Sequence, residues 1–104
     1  MSIHEGHRQR LKERFRKEGL DGFDDLYVLE LLLFYCVPRK DTNLIAHRLL
    51  NRFGSLAGVL DANPRELESV EEVGQNISGY LTLLKAVWRR YEVQQAKTEV
   101  PLST

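Results

Sequence analysis

The chain has a single cysteine, so no internal disulfide can form. That residue, Cys36, lies inside an apolar run and reads as a small core hydrophobe. Long hydrophobic runs are missing too. The longest, residues 31–37, has seven residues, far short of the ~20 that a membrane-spanning helix needs. No leader-like pattern of cations, apolar stretch and small residues is found, and a reduced, cytoplasmic setting is expected. Net charge of one sign is absent: 15 Lys and Arg balance 15 Asp and Glu, which removes any whole-chain argument for a polyanionic partner. Strand signals are scarce, with no period-two alternation and no Asn-Gly or Asp-Gly hairpin. Chemistry-bearing side chains are few. His4, His7 and His47 are the only histidines, and no nucleophile, base and orienter assemble from them. His4 and His7, near a terminus, make a poor metal site. Neither a P-loop nor a dinucleotide fingerprint occurs. No catalytic residue, metal ligand or cofactor is assigned, and this chain alone is not expected to be an enzyme.

What the sequence does contain is helix. With 104 residues, 42% hydrophobic and 29% charged, it has the make-up of one globular domain with one real core. Residues 5–18 are good helix formers, stopped by Gly19, with a thin apolar stripe of Leu11 and Phe15. Asp24 caps a second predicted helix over about 25–36. Leu26, Leu29, Leu33 and Cys36 give it a buried face, and Leu31, Leu32 and Phe34 make it apolar nearly all round, which suits the centre of a bundle. Pro38 closes it. Asp41 or Thr42 caps a third helix to Phe53, with Leu44, Ile45, Leu49, Leu50 and Phe53 inward and Gly54 as its stop. Ser55 opens a short helix. Asn63, Pro64 and Glu66 form a near capping box for another. The longest helix runs from about Gln75 to Lys97, with Ile77, Tyr80, Leu81, Leu84, Val87, Trp88 and Tyr91 on one side. The expected fold is all-α, a compact bundle of five or six short helices over residues 1–95, with 96–104 a tail or the start of a linker. A faint repeat of helix, apolar-flanked turn and helix relates Glu30, Leu31 and Val37 to Glu66, Leu67 and Val73.

Two turns are candidates for function. In FYCVPRKDTN an apolar helix ends in a proline-led basic turn, followed by a new helix start. Helix N-terminal amides and the helix dipole favour an anion, and cations placed there are best explained when an anion joins them. Arg39, Lys40, Thr42 and Asn43 therefore lead the candidate site. The second turn, VEEVGQN, offers Gly74, Gln75 and Asn76, with Glu71 and Glu72 opposing an anion. Residues 1–20 carry six cations against three carboxylates. Of these Arg8, Arg10, Lys12 and Arg14, together with Arg48 and Arg52 on the third helix, widen the basic surface. The alternative is a capped turn with solvated charges, the long cationic stems lying over the core edge.

The segments HRQRLKERFRKEGLDGF and LELLLFYCVPRKDTNLIAHRLLNRFGSLAGVLDANPRELESVEEVG closely resemble the N-terminal region of the bacterial RadC family of "DNA repair proteins", of UPF0758 type. The resemblance covers roughly residues 4–92. It implies a tandem helix-hairpin-helix domain with an extra basic N-terminal helix, similar to DNA-binding modules of repair nucleases and glycosylases. In that motif a Gly-hydrophobic-Gly turn holds a backbone phosphate. Val73 and Gly74 match its last two positions and Glu72 replaces its first glycine. The first hairpin has Pro38, Arg39 and Lys40 and no glycine. Full-length members continue into a JAB/MPN-type domain similar to zinc-dependent peptidases, for which no ligands exist here. Two roles follow as expectations. One is a non-catalytic module that binds DNA through its phosphates, without sequence preference. The other is a scaffold that docks the JAB/MPN-type domain or self-associates.

Overall fold

The structure is a computed structural model that describes residues 3–99. Six helices run along them: α1 (Ile3–Glu18), α2 (Asp25–Phe34), α3 (Thr42–Phe53), α4 (Leu56–Asp61), α5 (Pro64–Glu68) and α6 (Gln75–Glu99). Among the described residues there is no strand. The middle four helices start where a short polar side chain accepts a hydrogen bond from its own first turn. Asp24 takes Tyr27 N at 2.9 Å, Asp41 takes Leu44 N at 3.2 Å, Ser55 takes Gly58 N at 3.0 Å and Asn63 takes Glu66 N at 2.8 Å. The Glu66 carboxylate returns to Asn63 N at 3.0 Å, completing a capping box. Gly19 and Gly54 end α1 and α3 at φ 74° and 87°, a left-handed turn open to glycine at little cost.

α2 lies at the centre. Leu29 and Leu33 enter the main core, built with Ile45, Leu49, Val59, Leu67, Val73, Ile77 and Leu81. Leu31 and Phe34 form a second cluster with Leu11 of α1, edged by Phe23 and Tyr27. Core on both sides is why α2 is apolar around its circumference. Its regular turns end at Phe34, before the expected boundary. Tyr35 and Cys36 N–H groups then fold back on Leu32 and Leu33 carbonyls, at 3.2 and 3.1 Å, and lead into Pro38.

Two faces differ from expectation. Leu44 is exposed rather than inward. With Asp41 as cap, α3 turns Thr42, Ile45, Ala46 and Leu49 to the core, an i, i+3, i+4, i+7 stripe that leaves Leu44 off it. On α6, Val87, Trp88 and Tyr91 continue the buried face but are more than half exposed, because the helix outruns the bundle. Its 25 residues extend about 37 Å. Residues 96–99, expected in the tail, are its last turn, and 100–104 lie outside the described residues. In outline, α2 packs on α3 and α5 on α6, two helix–turn–helix units joined through α4.

Candidate nucleic-acid interface

The two turns singled out in the sequence meet. Val37, Pro38, Arg39 and Lys40 of the first and Glu72, Gly74, Gln75 and Asn76 of the second line one cleft of about 560 Å³. Arg39 and Lys40 are exposed, and their charged groups make no hydrogen bond or ion pair among the described residues. Arg8 reaches the same place from α1. Its Nη2 donates to the Lys40 carbonyl at 3.1 Å while its guanidinium lies 5.0 Å over the Phe34 ring. One turn further along α1, Lys12 Nζ sits 4.6 Å over the exposed Tyr35 ring. Cys36 also lines the cleft. Burial pushes its thiol up from the usual range, with the Arg8 charge opposing, so it stays an inert apolar wall.

The helix starts at the cleft differ. That of α3 is closed by Asp41, whose carboxylate occupies Leu44 N. That of α6 has Gly74 in the cap position: its carbonyl accepts from Ser78 N at 3.0 Å, but no side chain accepts from the first amides. No hydrogen bond fills Gln75, Asn76 or Ile77 N–H among the described residues, and a Cβ on Gly74 would meet nothing within 4 Å. Just before it, Glu72 holds φ 70°. A left-handed non-glycine residue costs roughly 1–2 kcal/mol. Its carboxylate is not loose: Arg48 Nη1 donates to Glu72 Oε1 at 2.7 Å, and Arg48 Nη2 lies 3.2 Å from Glu71 Oε2. One guanidinium neutralises much of the negative charge that the sequence placed against an anion.

The chain is 48% identical over 80 residues to the UPF0758 protein FN0909 of Fusobacterium nucleatum subsp. nucleatum, an alignment that covers 77% of this chain and 34% of the relative. Over that segment the chain is similar to part of a UPF0758 protein. It spans about a third of the length of this curated relative. No family model matches the chain, and no solved structure matches it.

Not every expected site residue reaches the cleft. Arg39, Lys40, Gly74, Gln75 and Asn76 do, while Arg8 stops at the Lys40 carbonyl and Lys12 lies over Tyr35. Thr42 is buried and holds the α3 start rather than facing a ligand. Asn43 is exposed on the first turn of α3, and Arg10 is exposed on α1. Arg14 points to the other end of α1, where it donates to Gly22 O at 2.8 Å and stacks 4.4 Å over Phe23. Arg52 donates to Ser69 Oγ at 2.8 Å over the Phe53 ring, and Arg48 is held by the two acids. These three cations serve the fold. Tyr35 and Cys36 went unnoticed as site residues, although both stand in the quoted turn. Among the described residues no three His, Cys, Asp or Glu side chains could hold a metal, and no helix is long and apolar enough to cross a membrane. The side chain of His4 lies outside the described residues.

Proposed function

We propose that this segment binds the phosphate backbone of DNA, without reading sequence, through the cleft between its two turns. One observation carries the reading: Arg39 and Lys40, with Arg8 bonded to the Lys40 carbonyl behind them, share a cleft with the start of α6, where no side chain caps the first amides. A phosphate seated there accepts from the amides of Gln75 and Asn76, and Gly74 lets it approach the main chain. Arg39 and Lys40 neutralise it and its neighbour. Contacts of this kind position a duplex but carry no base information. The paired units, α2 with α3 and α5 with α6, and the left-handed Glu72 at a glycine position support a helix-hairpin-helix reading, and with it a RadC-like, repair-associated role.

The test is salt-dependent binding to a short duplex. Three neutralised phosphates predict about a 40-fold loss of affinity between roughly 50 and 200 mM salt. Arg39→Ala with Lys40→Ala should remove at least about tenfold of the affinity at low salt and flatten the slope by about two phosphates. Binding untouched by that pair would dismiss the cleft, and none at low salt would dismiss the reading. A gain is also expected. Glu72→Gly removes a carboxylate from the cleft and frees one Arg48 contact, so duplex affinity should rise several-fold. Its stability in a urea titration should stay within about 1 kcal/mol, since relief of the left-handed backbone offsets a lost surface ion pair.

A further inference from the structure

The long helix keeps an apolar face beyond the point where its own bundle covers it. Ile77 and Leu81 on that face are buried and Leu84 is half-buried. Then come Trp88 at 58% and Tyr91 at 55% exposure, with Val87 beside them at 56%. The steps from 77 to 81, 84, 88 and 91 alternate four and three, which is heptad spacing. Within a bundle, 3.6-residue periodicity suffices. Over two heptads that spacing also suits an ordinary amphipathic helix, and it is the run of the stripe onto an unpacked half-helix that points to pairing with another helix. The stripe also borders an apolar groove of about 440 Å³ walled by Leu20, Leu56, Leu60 and Trp88. The Trp88 and Tyr91 rings already lean on each other, 6.2 Å between centroids.

The charges beside the stripe say which helix. Lys85 and Glu92 follow Leu84 and Tyr91 by one residue each, so they share one edge, a heptad apart and opposite in sign. The other edge, Val87 and Gln94, is neutral. Placed antiparallel, two copies of this helix bring Lys85 of each opposite Glu92 of the other, and Trp88 of each onto Tyr91 of the other. No other arrangement of the flank is needed, since one self-complementary patch makes a closed two-fold pair. Lys85 also pairs with Asp61 of its own chain, which holds it at that edge.

We propose that a second copy of this chain covers the stripe, its α6 lying antiparallel across a two-fold axis. The pair would set the two clefts about 46 Å apart along the joined helices, 31 residues at the helical rise. The inference stands on α6 alone and does not require that the clefts bind DNA.

Trp88 is the only tryptophan, so its emission reports this contact. Sedimentation equilibrium and fluorescence of the 104-residue chain, from micromolar to several hundred micromolar, should show the mass rising from one chain to two. The emission should shift to the blue over the same range. Trp88→Glu, at an exposed position that leaves the core alone, should stay a folded monomer by circular dichroism. Glu92→Lys should weaken pairing about tenfold, and Lys85→Glu added to it should restore most of the loss. A monomer at all concentrations, with water-exposed Trp88 emission, would overturn the proposal and leave the face to a different partner, such as the remainder of a longer chain. A dimer that survives Trp88→Glu, or a charge swap that restores nothing, would overturn it as well.

Discussion

Gly58→Ala is expected to lower the unfolding free energy by about 3 kcal/mol, the upper end of the cost of overfilling a packed site. Helix propensity alone argues the other way, since alanine gains ~1 kcal/mol over glycine inside a helix. The contest is decided by a neighbour. A Cβ on Gly58 would overlap the Phe53 carbonyl oxygen and stand 3.1 Å from its carbon. Those are main-chain atoms at the end of α3, and they cannot rotate away. Only Gly54, at φ 87°, and the capping Ser55 separate α3 from α4, so the first turn of α4 is pressed against the last of α3. To make room α4 must lift, exposing Val59, which is now fully buried. For a domain of this size the melting temperature should fall by about 15 °C. Gly79→Ala is the internal control. It too is a helical glycine, but its added Cβ meets nothing within 4 Å. There propensity acts unopposed, and stability should rise by up to ~1 kcal/mol. Urea titrations of both variants decide the matter. Equal gains in the two would mean that the α3–α4 joint yields more easily than its geometry implies.

That contrast illustrates what was legible in the sequence. Helix starts were, because a cap is a contact over three residues: Asp24, Asp41, Ser55 and the Asn63–Glu66 box all sit where their spacing put them. The central position of α2 was legible as well, since a helix apolar on every side needs core on every side. Leu44 was not. Whether Asp41 or Thr42 caps α3 rotates the inward face by one residue, and the apolar pattern alone tolerates both. Nor was the exposure of Trp88, because periodicity gives the face of a helix and not the length of what lies beneath it. At the cleft, each turn could be suspected from its own residues, but their meeting could not. Arg8 reaches Lys40 across 32 positions, and Arg48 reaches Glu72 across 24. Contacts at that range depend on how helices pack. So the sequence suggested that Glu71 and Glu72 would repel an anion, while the fold supplies Arg48 to both.

Glu30→Met is expected to stabilise the protein by about 1–2 kcal/mol at neutral pH, although it removes a hydrogen-bonded polar group. Glu30 sits on α2 with no exposure. Its Oε2 has one partner, His7 Nε2 at 3.3 Å, and its buried Oε1 has none among the described residues. A buried acceptor left unmade costs roughly 1–3 kcal/mol, while a long contact to a side chain that itself reaches water returns less than about 1 kcal/mol. Methionine has nearly the same length, favours helix and fills an irregular space without leaving a void. His7 loses its partner, but with 36% of its side chain exposed it is not left as a buried orphan. What the acid supplies is position. His7 also meets the Phe34 ring edge-on at 6.1 Å, and the next residue, Arg8, carries α1 to the cleft. Global stability and α1 docking should therefore separate. The methionine variant should resist more urea than the parent, yet exchange the amides of α1 faster. Glu30→Ala is the necessary comparison, since it removes the same carboxyl group but opens a cavity, and it should lose stability instead. A methionine variant weaker than the parent in urea would mean that His7 gives the carboxyl group more than burial takes from it.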